Sequence, residues 1–131
     1  MPGWGTGSFE NEDAQSFLDG LNTKEPGELK NVLAHAVEAG DYLNSSESCV
    51  VIAAAEVVAS AKGKPPETVP PQVAEFVEKI DGEPSVEMNE LARHAVEKVR
   101  INSELKDLWL EADGLNEWSA ALRDLEQRLR G

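Results

Sequence analysis

Apolar residues recur along this chain with the spacing of helices rather than the alternation of strands. No stretch alternates apolar and polar residues over the length of a strand with β-branched enrichment. Ala14, Phe17, Leu18 and Leu21, by contrast, fall at positions i, i+3, i+4 and i+7, which lie on one face of a helix. The pattern predicts an all-α protein.

The same spacing predicts six or seven helices. Further apolar stripes cover residues 29–37, 47–62, 73–80, 88–99, 105–112 and 118–129. Asn102 and Ser103 form a cap-like break between the fifth and sixth stripes, with Ser103 as the candidate N-cap. Ser103 lacks the acidic partner of a capping box, so a continuous helix is also possible there.

Polar residues just upstream of the stripes are the predicted helix caps. Asn11 is the predicted cap of the first helix, and Asp13 lies in its first turn, where it complements the helix dipole. Ser45 or Ser46 caps the third helix and Asn116 the last. Gly63 and the pair Asp113-Gly114 mark helix ends.

The third helix is predicted to be central. Its residues 50–55 are apolar on every side, which is typical of a buried helix. Connections between the helices are short, which favours antiparallel neighbours, and no linker divides the chain. We therefore expect residues 1–131 to form a single domain, a compact bundle of six to seven helices around a central apolar helix.

Charge separates the two halves of the chain. There are 25 acidic and 12 basic residues, giving a net charge of −13. Residues 1–60 carry ten acidic residues against only Lys24 and Lys30. Such a field repels nucleic acid and anionic membranes and attracts a basic protein partner. The alternative interpretation is that the charge serves solubility alone.

Cysteine usage and hydropathy predict a cytoplasmic protein. Cys49 is the only cysteine, so no intrachain disulfide forms, and within an apolar run it is expected to be a small core residue in a reducing compartment. The first residues lack the features of an export signal. The longest apolar stretch, 49–61, is interrupted by Glu56, so no membrane span is expected.

Two features suggest a site at the start of the chain. Gly5 and Gly7 allow a tight loop, and Trp4 and Phe9 flank it as apolar anchors. Acidic residues after the loop disfavour an anion site, and no lysine follows the glycines as in a phosphate loop. A loop that holds the N-terminal segment to the bundle is favoured, and our hypothesis is that Glu56, a carboxylate on the buried helix, accepts hydrogen bonds from it.

The other chemical groups give weak signals. His35 and His94 lie on different helices, each with one nearby glutamate, and we expect surface or packing histidines without a metal or cofactor. Whether His35, His94 and Glu56 converge in space is left open. Trp109 and Trp118 fall on apolar stripes, so core packing is expected, with a protein contact as the alternative. Cys49 and Ser103 have no partner that indicates catalysis.

Two segments carry a family resemblance. The chain opens with Trp-Gly-Thr-Gly-Ser-Phe at 4–9, and it ends with Ser-Glu-Leu at 103–105, Leu-Trp at 108–109 and Trp118. It resembles the bacterial family known as Domain of Unknown Function 4259. Pro2 and Leu110 depart mildly from that pattern. The resemblance implies a helical domain with a shared site and brings no activity, cofactor or substrate.

Two functions are compatible with these residues. The first is a non-enzymatic protein that acts through a basic protein partner, in an immunity-type or regulatory role. The second is an enzyme or a domain binding a small ligand or metal near the N-terminal loop and Glu56. A concave pocket with convergent polar groups would favour the second, and an acidic face without one would favour the first.

Overall fold

The computed structural model describes residues 12–21, 26–38, 42–64, 69–79 and 86–130. Within those ranges every regular element is an α-helix, as predicted. The helices of these ranges are α1 (Glu12–Asp19), α2 (Pro26–Glu38), α3 (Ser45–Ala61), α4 (Pro71–Lys79), α5 (Val86–Ile101), α6 (Glu104–Glu111) and α7 (Leu115–Arg130).

The predicted central helix is α3. It contacts each of the other described helices, and nearly all of its side chains from Ser48 to Ala59 are buried. Its three successive alanines, Ala53, Ala54 and Ala55, are completely buried. Their small side chains let neighbouring helices approach from several directions at the density of a protein interior. The all-α bundle around a central apolar helix is thus confirmed.

The start of α3 corrects a predicted cap. Asn44, and neither Ser45 nor Ser46, is the N-cap, because its Oδ1 accepts a hydrogen bond of 2.8 Å from the Glu47 N–H. Both serines lie inside the first turn, so α3 begins two residues earlier than its apolar stripe indicates. Asn44 Nδ2 also donates to the Glu47 carboxylate at 2.8 Å.

Asn116 is also wrong as a cap. Helix α7 already begins at Leu115, which leaves Asn116 inside its first turn. The helix starts earlier because Gly114 directly precedes it and the Gly114 carbonyl accepts a bond of 3.1 Å from the Trp118 N–H.

Two predicted helix ends are confirmed. After α3, Gly63 has a φ of +90°, the left-handed conformation that glycine adopts without strain. After α6, Asp113 takes that conformation with a φ of 61°, which aspartate tolerates better than most residues. Gly114 follows it directly.

Helices α5 and α6 are separate. The helical conformation is interrupted at Asn102 and Ser103. The Glu104 N–H donates to the Leu43 carbonyl at 2.8 Å. This bond joins the start of α6 to the segment before α3, through an isolated parallel bridge between Leu43 and Ser103. No helix in the described ranges is long and apolar enough to cross a membrane.

Candidate functional site

Glu56 is buried on α3 and paired with an arginine. Its residue exposure is 3%. From α7, Arg128 donates from Nη1 to Oε1 at 2.6 Å and from Nη2 to Oε2 at 3.0 Å. The guanidinium fork therefore meets both carboxylate oxygens, the geometry that makes such pairs strong. The sequence pattern did not point to Arg128, which lies on a polar stretch of α7.

The surroundings of Arg128 hold it in place and keep it charged. Its Nε donates to Asp124 at 2.9 Å, and Nη1 also reaches the Lys64 carbonyl at 3.3 Å. Burial lowers the pKa of Arg128, but the hydrogen bonds and charges of Glu56 and Asp124 outweigh it and raise the pKa above its usual value. The pair is thus suited to joining α7 to α3.

A second ion pair joins α7 to α5. Arg100 donates from Nε to Glu126 at 2.7 Å and from Nη2 at 3.3 Å. Hydrogen bonding to Glu126 raises the pKa of Arg100, against the opposing effect of burial. The Lys62 ammonium adds a bond of 2.6 Å to the Leu129 carbonyl near the end of α7. These polar contacts fix the position of the last helix.

The opening motif is not part of this geometry. Trp4, Gly5, Gly7, Phe9 and Asn11 all lie outside the described residues. The hypothesis that the loop bonds to Glu56 therefore stays a prediction. A carboxylate offers about four acceptor positions, so pairing with Arg128 is compatible with it.

Ser103 is a helix cap inside the core. Its exposure is 0%. The hydroxyl donates to the Val99 carbonyl at 2.7 Å and accepts from the Lys106 N–H at 3.1 Å. One side chain thereby closes the end of α5 and caps the start of α6. This arrangement confirms the predicted cap.

The two C-terminal tryptophans are core residues. Trp109 and Trp118 are 3% and 2% exposed, so neither presents a surface anchor. Asp13 lies in the first turn of α1, half-buried. Cys49 is completely buried, and burial, with a smaller effect from the Asp13 charge, raises the pKa of its thiol to about 12. A thiol with that pKa is a poor nucleophile near neutral pH.

The histidines are both exposed and belong to different surroundings. The Nε2 atom of His94 lies 3.1 Å from Nη2 of Arg93, whereas His35 lies on α2. Glu56, by contrast, is buried against Arg128. In the described part of the chain, no three His, Cys, Asp or Glu side chains are grouped so as to hold a metal.

An open groove of about 470 Å³ lies between α2 and α3. Each helix contributes four residues at positions i, i+1, i+4 and i+5, which form a stripe along two turns. The lining residues are Asn31, Val32, His35 and Ala36 from α2 and Ser46, Glu47, Val50 and Val51 from α3. Ala36 and Val51 are buried at its floor, Val32 and Val50 are half-buried, and the polar members are exposed. The groove is thus an apolar surface with a polar rim.

Acidic groups surround the neighbouring start of α3. Ser45, next to the groove residue Ser46, donates its N–H to Glu104 at 2.8 Å. The exposed hydroxyl of Tyr42 donates to Asp107. That hydrogen bond, together with slight desolvation and the charges of Asp107, Glu104 and Glu111, raises the pKa of Tyr42 to about 12. The acidic side of α6 therefore lies next to the start of α3.

The comparisons with known proteins give one match. The family described as Domain of unknown function (DUF4259) matches residues 3–121, almost the whole chain. No curated protein and no solved structure matches. The match agrees with the resemblance drawn from the opening and closing segments. This chain belongs to the DUF4259 family.

Proposed function

We propose that this protein is a non-enzymatic binding module that docks a basic protein partner in the groove between α2 and α3. The observation that carries the proposal is the groove itself, which combines an apolar floor at Ala36 and Val51 with an acidic residue, Glu47, at its rim. Exposed apolar surface framed by polar residues is typical of interaction sites.

The chemistry of the groove supports binding rather than catalysis. His35 and Glu47 are its ionisable residues among those described. Other groups that suggested chemistry have structural roles: Glu56 is held by Arg128, and Ser103 bonds to backbone groups at both ends of a helix break. The alternative of an enzyme or ligand site near Glu56 has no comparable support.

Charge favours a basic partner. The chain carries a net charge of −13, and α6 contributes three carboxylates and one lysine near the start of α3. Complementary charge speeds association and selects partners. A cytoplasmic role of the immunity or regulatory type fits a protein whose one thiol is buried.

The test is capture of the partner from the native cell by three forms of the tagged chain. Val50→Lys places a cation in the groove, whereas Val86→Lys makes the same exchange at a valine that is 74% exposed elsewhere. We expect one basic protein to bind the wild type and Val86→Lys at equal stoichiometry. Val50→Lys should bind it more than about tenfold more weakly, because like charges and buried charge both oppose docking.

Thermal unfolding of both variants checks that each retains its fold. Equal binding by a folded Val50→Lys protein would rule out this groove as the docking site. Capture of an acidic protein would contradict the charge argument.

A further inference from the structure

The groove between α2 and α3 presents side chains to a partner and almost no backbone groups. Its eight lining residues all lie within helices, where most backbone N–H and C=O groups are bonded within the helix. Near the helix ends, the Glu47 N–H donates to Asn44 Oδ1 and the Ala36 carbonyl accepts from Lys98. An extended partner segment seated on the floor would bury its own N–H and C=O groups without acceptors or donors. A helix brings those groups already paired, so it is the conformation that this surface accommodates.

The dimensions fit one face of a helix. A cavity of roughly 150 Å³ holds a benzene molecule, so a groove of about 470 Å³ has room for two or three large apolar side chains. The lining stripes run from 31 to 36 and from 46 to 51, about 7.5 Å along each helix axis at 1.5 Å per residue. Apolar side chains at i and i+4 of a partner helix, one turn apart, match that length.

Carboxylates lie around the start of α3, beside the groove. They belong to Glu47 and to residues of α6, including Glu104 and Asp107. A bound helix with clustered Lys or Arg is therefore favoured with those residues over the start of α3.

We infer that the groove binds an amphipathic helix of the partner, with apolar anchors one turn apart and a basic cluster placed over the start of α3. This inference rests on the proposed function and specifies the partner segment. It commits the site to helix recognition, since the described residues lining it present no unpaired strand edge.

The test uses the full chain and four fluorescent peptides of about 18 residues, long enough to form helices. The first has Leu at helical spacing and Lys clustered at one end. The second contains the same residues in strand alternation, the third has two central prolines, and the fourth has Glu in place of Lys. Fluorescence anisotropy measures the affinity of each for the wild type, Glu47→Lys and Glu117→Lys.

We expect the first peptide to bind, and the second and fourth to bind at least about tenfold more weakly. The affinity of the proline peptide should be lower by roughly 100-fold or more, which is the factor by which one interior proline opposes helix formation. The Glu47→Lys variant should bind the first peptide more weakly than the wild type does. Glu117→Lys, the same exchange in the first turn of α7, should leave its affinity unchanged.

The inference is overturned if the strand-patterned or acidic peptide binds as well as the first, or if the first does not bind below millimolar concentration. Equal effects of the two charge variants would also overturn it. A natural partner that requires Val50 while these peptides fail would leave the proposed function standing. A natural partner indifferent to Val50→Lys would remove the proposed function as well.

Discussion

Arg128 and Glu56 lie 72 residues apart in sequence and meet through two parallel hydrogen bonds of 2.6 and 3.0 Å. The carboxylate is on the central helix, and the guanidinium is near the end of the last helix. A charge on a buried helix is costly unless it is paired. The contact therefore explains how α3 tolerates a glutamate among its alanines and valines, and it fixes the end of α7 against the core.

Removing either charge of this pair should destabilise the fold, and the loss of the arginine should cost more than the loss of the carboxylate. Arg128→Met leaves Glu56 without its cation in a buried position, and we expect a loss of about 3 kcal/mol in the free energy of unfolding. Glu56→Gln should cost less, about 1–2 kcal/mol, because Arg128 still contacts Asp124 and part of its side chain meets solvent. Urea unfolding measures both.

The control is Arg123→Met, an exposed arginine of the same helix, which should change the stability by less than about 0.5 kcal/mol. In the double variant Glu56→Gln/Arg128→Met, the two losses should not add, with a coupling of at least about 1 kcal/mol. Strict additivity would contradict a direct interaction between the two side chains.

Replacing Gly114 and Gly27 with alanine should change the stability in opposite directions. A Cβ at Gly114 would lie 2.5 Å from Cε3 of the buried Trp109 ring, and such overpacking costs about 1–3 kcal/mol. At Gly27, in the first turn of α2, a Cβ has nothing within 4 Å, so Gly27→Ala should stabilise by up to about 1 kcal/mol. Thermal unfolding distinguishes them, and a neutral Gly114→Ala would contradict the close packing of Trp109.

Local pattern predicted more of this structure than of its candidate site. The run from Val50 to Ala55 identified the central helix because a helix that is apolar all round has no solvent face. Ser103 was identified as a cap because it follows one apolar stripe and precedes another. The predicted cap of α3 was wrong because Asn44, Ser45 and Ser46 are three adjacent residues of suitable type, and only tertiary contacts distinguish them.

The groove and the Glu56 partner depend on distant contacts. Arg128 has the sequence context of a surface arginine, and nothing local indicates that it turns toward a residue 72 positions earlier. The groove arises because the stripes of α2 and α3 do not close over each other, which depends on how the helices are spaced. Hydrophobic periodicity predicts which face is apolar but gives no information about that spacing.

Cys49 should be unreactive in the native protein. Burial raises the pKa of its thiol to about 12, and it has no exposed surface, so both thiolate and access are lacking at neutral pH. We expect an aromatic disulfide reagent to label it only as fast as the protein opens, and to label it rapidly in urea. Rapid labelling under native conditions would contradict its place in the core.

Tyr42 should titrate abnormally, and it is the only tyrosine in the chain. The bond to Asp107, with smaller effects of desolvation and nearby carboxylates, raises its pKa from 10.0 to about 12. The neutral phenol thus stabilises the fold fully below pH 10, and this contribution is lost as the pH rises from 10 to about 12. Tyrosinate absorbance measures the midpoint, which Asp107→Asn should lower toward 10. A wild-type midpoint near 10 would show that the bond does not form.

The central claim is that the groove between α2 and α3 docks a basic partner, and hydrogen–deuterium exchange on the isolated complex tests it most directly. We predict slower exchange on binding in peptides that cover 31–36 and 46–51, because docking suppresses local opening of both helices. Peptides within 115–130 should exchange as in the free protein. Protection confined to α7, with the two groove segments unchanged, would contradict the claim.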